Sequence, residues 1–158
     1  MKKATIASLA TLIGITSGVV AVKSTYQKKD SRRREHIKKM GEFYNLLIQW
    51  VCLKQEGKSL VLYFVSNGYK KIAIYGMKEL GERLYDELRD SEVEVKYIID
   101  KNADAIYADI DVLTPEDELE EVDAIVVTAI HYFDEIEEML EQKVDCPILS
   151  LEDIVYEI

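Results

Sequence analysis

Cysteine and histidine are scarce in this chain, with two of each among 158 residues. None of them has the close spacing of a zinc-binding motif, and Cys52 and Cys146 lie far apart in apolar stretches of the sequence. A nucleophile elbow and a paired-acid motif are also missing. We therefore predict reduced structural thiols rather than a disulfide, no metal site and no assignable catalytic residue.

Glycine is scarce too, with seven residues, and one loop shows the consequence. Residues 70–81 read Lys-Lys-Ile-Ala-Ile-Tyr-Gly-Met-Lys-Glu-Leu-Gly, which predicts a buried strand, a turn and a helix start. The Gly-x-Gly-x-x-Gly fingerprint uses its first glycine for the tight turn, its second for the approach of a pyrophosphate and its third for helix packing. Gly76 and Gly81 supply the first and third, whereas Lys78 replaces the second. The loop therefore indicates the fold of nucleotide-binding domains more strongly than it indicates that this chain binds a nucleotide.

Charge is divided unevenly along the chain, whose net charge is −10. Residues 1–41 carry a net charge of +8, and residues 42–158 carry −18. An acidic domain repels the phosphate backbone of nucleic acids. We therefore predict no nucleic-acid partner.

Residues 4–22 form the one long uncharged run, and its nineteen residues nearly match the length that crosses a bilayer. A basic cluster follows directly, which by the positive-inside rule places the C-terminal domain in the cytoplasm. We predict a transmembrane helix within residues 1–22, a basic juxtamembrane linker over 23–41 and a single-pass location in the cell membrane. A cleaved signal peptide is the alternative, although the basic cluster opposes translocation.

The remaining sequence alternates helical and strand patterns. Apolar residues at three- and four-residue steps predict a helix over 33–55, and Ser59 caps a short helix over 60–66, which together give a helical preface over 42–69. Strands are predicted at 72–75, 93–99, 110–113, 124–129 and 147–149, with helices at 79–89, from Thr114, at 133–142 and after Ser150. This order predicts an α/β fold, in which a Rossmann-like parallel sheet flanked by helices occupies residues 70–158.

Ligands of such sheets bind at the carboxyl ends of the strands, where the strand order reverses. Three loops, 76–81, 100–102 and 128–132, follow strands and should meet there. The predicted cofactor-binding residues are Gly76, Met77, Lys78, Glu79, Leu80, Gly81, Asp100, Lys101, Thr128, Ala129 and His131. Asp100 follows the second strand, where it either binds a ribose hydroxyl or simply forms the turn.

Two of these residues have opposing interpretations. Lys78 either fills the space of a pyrophosphate, which we favour, or binds a phosphate through its ammonium group. His131 is the one side chain in these loops that titrates near neutral pH. We favour a loop histidine without catalytic duty, because the sequence fixes no carboxylate beside it.

Residues 50–158 resemble the small Rossmann-like domains, similar to nucleoside-diphosphate-sugar epimerases, of bacterial glycan and capsule gene sets. The segments that carry the resemblance are 68–76, 79–81, 99–102, 115–117 and 123–128. The resemblance implies a site for NAD(P) or a nucleotide-sugar at the three loops, and a partner protein in glycan assembly. It implies no particular reaction, since such domains often accompany other enzymes.

Three functions follow from these expectations. The first is a membrane-anchored cytoplasmic domain that binds a nucleotide, a nucleotide-sugar or a protein partner in cell-surface glycan assembly without catalysis. The second is an NAD(P)-dependent nucleotide-sugar epimerase or dehydratase, which ranks lower because such enzymes normally add a substrate-binding half. The third is a scaffold protein that binds no ligand.

Overall fold

The computed structural model describes residues 2–158, with side chains from Lys29 onward. The chain divides into two compact units, residues 1–44 and residues 45–158. Helix α1 spans Lys2–Gln55. The predicted membrane segment lies outside the residues whose side chains are described. Within residues 29–158, no helix has the length and apolar character needed to cross a bilayer.

The second unit is built around one sheet. After α1 come α2 (Leu60–Ser66), β1 (Lys71–Tyr75), α3 (Glu79–Leu88), β2 (Glu94–Ile99), β3 (Val112–Leu113), β4 (Ala124–Val127), α4 (Phe133–Leu140), β5 (Ile148–Ser150) and α5 (Leu151–Glu157), with short 3-10 helices at Ala103–Ala105 and Ile130–Tyr132. The five strands pair in parallel in the order β3-β2-β1-β4-β5. The prediction of an α/β fold with a parallel sheet is confirmed.

The sheet is buried on both faces. Side chains at alternate positions of the central strands, such as Tyr75 and Val127, pack with Ile136 and Leu140 of α4 in one apolar cluster. Residues one position along a strand point to the opposite face, and Ile74 of β1 is fully buried there. Such two-sided burial explains why β4 and the C-terminal parts of β1 and β2 are continuous apolar runs rather than alternating ones.

A buried carboxylate joins the helical segment to α3. The side chain of Glu87 is only 5% exposed. Its Oε1 accepts hydrogen bonds from the Ser59 hydroxyl and the Leu60 amide, each at 2.8 Å, and Oε2 accepts one from Trp50 Nε1 at 2.8 Å. The Lys54 ammonium lies 2.6 Å from Oε1. Glu87 therefore fixes both the end of α1 and the start of α2.

The prediction of a helix that begins at Thr114 is wrong. The Asp117 carboxylate accepts hydrogen bonds from the Thr114 amide and hydroxyl, and the Asp117 amide donates back to the Thr114 carbonyl at 3.2 Å, which closes a turn. The chain then runs on without a helix, and the Tyr97 hydroxyl donates to the Glu120 carbonyl at 2.6 Å. The Asp117 carboxylate binds the Thr114 amide within this turn. The residues that resemble a helix N-cap are therefore not followed by a helix.

The two cysteines also differ from each other. Cys52 is exposed on α1, so its prediction as a structural thiol in apolar surroundings is wrong. Cys146 is half-buried, and burial raises the pKa of its thiol. A raised pKa makes the Cys146 thiol a poor nucleophile at neutral pH.

Candidate functional site

The three predicted loops meet at one edge of the sheet. The last residue of β1, Tyr75, pairs with Ile99 of β2 on one side and with Val127 of β4 on the other. The segments that follow these strands therefore start side by side. The order of the strands along the chain also reverses here, because β2 and β3 lie on one side of β1 whereas β4 and β5 lie on the other.

The two glycines of the first loop are held against each other. Gly76 has a φ of +95°, which side chains rarely adopt. A Cβ on Gly81 would lie 2.0 Å from the Gly76 carbonyl oxygen, so the start of α3 is in direct contact with the turn. The Thr128 hydroxyl donates to that carbonyl at 2.7 Å and lies 3.1 Å from the Tyr75 carbonyl oxygen. Thr128 thereby ties the end of β4 to the loop after β1.

Asp100 fixes the same loop from the β2 side. It is buried, its Oδ2 accepts a hydrogen bond from the Met77 amide at 3.0 Å, and its Oδ1 accepts one from the Asn102 amide at 2.9 Å. These hydrogen bonds hold both the loop after β1 and the loop after β2, which gives a structural reason for an aspartate at this position. Each carboxylate oxygen keeps further lone pairs, and the contact of Asp100 with a ribose stays a prediction.

Lys78 occupies the position of the missing glycine without strain. It is the N-cap residue of α3, with a φ of −90° and no side-chain hydrogen bond to the helix. Its side chain is exposed. The backbone therefore does not require glycine here, and a glycine would matter only for the approach of a ligand. Glu79 and Glu82 in the first helical turn stabilise the helix dipole but repel a phosphate.

The remaining predicted residues contribute in different ways. Leu80 is buried in the core and offers only its backbone to the loop. Lys101 is exposed, and Ala129 and His131 are half-buried, the latter on the 3-10 helix Ile130–Tyr132. Met77 lines an open cavity of about 520 Å³ between α3 and residues 105–109. That volume is within the range of small-molecule pockets.

The sequence interpretation did not single out the hydroxyl of Tyr75. This side chain is 4% exposed, and its hydroxyl has no hydrogen-bond partner in the described part of the chain. Burial, together with the negative charges of Asp100 and Glu116, raises the pKa of Tyr75. An unpaired buried hydroxyl costs about 1–3 kcal/mol, so Tyr75 is a further candidate for ligand binding. In the sequence, the signal that could have indicated Tyr75 was its position as the last residue of the first strand, just before the glycine loop.

The edge offers groups that can bind an anion. Its donors are backbone amides of the α3 N-terminus and the exposed ammonium groups of Lys78 and Lys101. Among the side chains that the structure describes, no cluster of three or more histidine, cysteine or acidic residues is arranged to hold a metal.

The family model described as C2185-like, N-terminal, matches residues 68–147, just over half of the chain. The chain belongs to the C2185-like family. The matched region includes β1, the glycine loop, Asp100 and Thr128, so all predicted site residues lie within the family domain. Comparisons with curated proteins and with solved structures give no match.

Proposed function

We propose that this chain is a Rossmann-like, nucleotide- or nucleotide-sugar-binding protein that acts in cell-surface glycan assembly without catalysis of its own. The observation that carries the proposal is the edge of the sheet between β1 and β4. There the strand order reverses, and a glycine turn with a φ of +95° leads into a helix whose first turn contacts it. This arrangement is typical of the site that binds a pyrophosphate at a helix N-terminus.

The charges of the edge bear on which nucleotide it binds. Two acidic side chains in the first turn of α3, Glu79 and Glu82, oppose a phosphate, whereas Lys78 and Lys101 attract one. A ligand with a shielded diphosphate, such as a nucleotide-sugar or a dinucleotide, is repelled less than a nucleotide with a terminal phosphate. NAD(P) and nucleotide-sugars are therefore the proposed ligand classes.

Replacing Lys78 by glycine tests the proposal directly. We expect Lys78→Gly to strengthen the binding of NAD⁺ or of uridine diphosphate glucose, because the backbone can then approach the pyrophosphate. If the ammonium instead holds a phosphate, the change weakens binding by about 1.5–3 kcal/mol, the usual contribution of a hydrogen bond to a charged group. Isothermal titration calorimetry of both proteins with each ligand measures the sign.

Lys70→Gly is the matched control, since Lys70 is an exposed lysine just before the opposite end of β1. Its binding should equal that of the unmodified protein. If neither the unmodified protein nor Lys78→Gly binds any of these ligands, the binding proposal fails. A scaffold that works without a ligand is then the better account.

We also propose that residues 4–22 anchor the chain in the cell membrane with its C-terminal domain in the cytoplasm. The nineteen uncharged residues and the basic cluster after them support this orientation. We expect the full chain to stay with membranes after carbonate extraction. Replacing Lys28, Lys29, Arg32, Arg33 and Arg34 by glutamine should weaken the orientation, as measured by protease access from each side. A soluble secreted form that begins near Val22 would instead show a cleaved signal peptide.

A further inference from the structure

Helix α1 carries two apolar faces. Leu46, Trp50 and Leu53 are buried in the core of the second unit. On the opposite side of the helix lie five large apolar side chains that stay 45–62% exposed, and we call them the α1 stripe: Ile37, Met40, Tyr44, Ile48 and Val51. The 3.6-residue helical repeat places these two sets on opposite sides. The stripe therefore takes no part in the core of the second unit.

The spacing of the stripe is that of a coiled-coil seam. Ile37, Gly41, Tyr44, Ile48 and Val51 follow one another at alternating steps of four and three residues. This average period of 3.5 residues keeps a seam facing a partner helix along its whole length. Apolar residues in this register on an exposed helix face are the pattern of a helix that pairs with another helix.

Gly41 gives an independent indication. It lies inside α1 and is exposed, and apart from its own stretch of helix no described atom lies within 4 Å of the position of its Cβ, so the described fold does not require a glycine here. Glycine in a helix interior costs about 0.5–1 kcal/mol relative to alanine. A small residue in a seam lets two helices approach closely, which gives this unfavourable choice a physical reason.

Charged side chains of this part of α1 lie off the stripe. Lys39 pairs with Glu35 at 3.6 Å, and Lys38 pairs with Glu42 at 3.4 Å. By the helical repeat these residues lie toward the side of Leu46. Neither of these two ion pairs therefore places a charge in the seam between Ile37 and Val51.

The size of the seam sets the expected affinity. Ile37 to Gln55 covers about two and a half heptads, fewer than the three to four of a sustained coiled coil. Burying the exposed parts of two stripes removes roughly 1,000 Å² from water, at the low end for specific interfaces. The association should therefore depend on protein concentration.

We propose that the α1 stripe is the interface through which two copies of this chain form a coiled-coil dimer. A second copy fits because the stripe is self-complementary: its surface is apolar, its seam has a small residue, and the nearby ion pairs Lys38–Glu42 and Lys39–Glu35 lie off it. Ile48 and Val51 are exposed on the side of α1 opposite to the buried Leu46 and Trp50, which leaves this part of the seam open to the other copy. The dimer does not depend on nucleotide binding.

Sedimentation equilibrium of the full chain in a non-ionic detergent tests the dimer. We expect a reversible monomer–dimer equilibrium, and we expect the double variant Tyr44→Glu/Ile48→Glu to raise the dimer dissociation constant at least tenfold. Leu62→Glu is the matched control, because Leu62 is 61% exposed on α2 and lies outside the stripe. It should dimerise like the unmodified chain. Circular dichroism should show equal helix content in all three proteins.

Disulfide cross-linking gives a second measurement that does not rely on a disruptive change. In a Cys52→Ser/Cys146→Ser background, mild oxidation should cross-link Ile48→Cys into a covalent dimer and leave Leu62→Cys monomeric. A chain that stays monomeric at all concentrations overturns the proposal. So does a double variant that dimerises as tightly as the unmodified chain, or equal cross-linking at both positions.

Discussion

Gly81→Ala should destabilise the second unit by about 3 kcal/mol or more. The added Cβ would lie 2.0 Å from the Gly76 carbonyl oxygen and 3.0 Å from its carbon, and both are backbone atoms that cannot rotate away. Relief requires α3 to move away from the turn, which breaks the packing of Leu80 and Leu84 in the core. Urea unfolding followed by the fluorescence of Trp50, the single tryptophan, measures the loss.

Glu82→Ala is the control for this prediction, since Glu82 follows Gly81 on α3 and its side chain is 54% exposed. We expect its free energy of unfolding to stay within about 0.5 kcal/mol of that of the unmodified protein. Equal stability of Gly81→Ala and the unmodified protein would show that α3 does not begin against the Gly76 carbonyl, and the candidate site would lose its geometry.

Glu87→Ala should cost about 1–3 kcal/mol, the range for leaving buried hydrogen-bond donors without their acceptor. It leaves the Trp50 indole, the Ser59 hydroxyl and the Leu60 amide without their acceptor and the Lys54 ammonium without its counter-charge. The same urea experiment measures the change in the free energy of unfolding. A loss below 1 kcal/mol would contradict the role of Glu87 as the group that fixes α1 and α2.

The neighbouring residue Asp86 provides the matched control. Its side chain is 44% exposed and pairs with Arg83 and Arg89 at 3.4 and 3.5 Å. Surface ion pairs of this kind contribute about 0–1 kcal/mol, so Asp86→Ala should change little. Both residues are carboxylates on α3. A larger loss of stability for Glu87→Ala than for Asp86→Ala would therefore show that the burial of Glu87, and not its negative charge alone, is what stabilises the fold.

The contribution of Glu87 should also depend on pH. Burial alone would raise the pKa of Glu87, but the hydrogen bonds from Lys54, Trp50, Leu60 and Ser59 outweigh burial and hold the pKa below its ordinary value. A carboxyl group whose pKa is lowered on folding stabilises the protein above its unfolded-state pKa and loses that contribution as the pH falls through the folded-state pKa. The stability difference from Glu87→Gln should therefore shrink in acid.

Much of the candidate site follows from local sequence. Apolar runs that match buried parallel strands predicted β1, β2 and β4, and such strands place their following loops at one edge. Gly76 and Gly81 were assigned the roles that the structure gives them, because a positive φ and a close helix approach are local demands on the backbone. The α/β architecture was predictable for the same reason.

Long-range polar contacts were not predictable. Asp100 bonds the Met77 amide across 23 residues, and Glu87 bonds Trp50 across 37. No local pattern distinguishes such carboxylates from exposed ones, because their partners are chosen only when separate elements pack. The turn at Thr114 shows a related limit, since its cap signal fits both a helix start and a closed turn.

The sequence by itself determined the parallel α/β fold and the position of the candidate site at the edge of the sheet, because hydrophobic periodicity and glycine chemistry act over a few neighbouring residues. Only the tertiary structure decided that Asp100 and Thr128 lock the glycine loop, that the Tyr75 hydroxyl is buried without a partner among the described residues, and that Ile48 and Val51 of α1 stay exposed. Those outcomes depend on which parts of the chain, far apart in sequence, pack together. Burial makes the hydrogen-bond partner of each polar group important, because a buried polar group without a partner costs free energy.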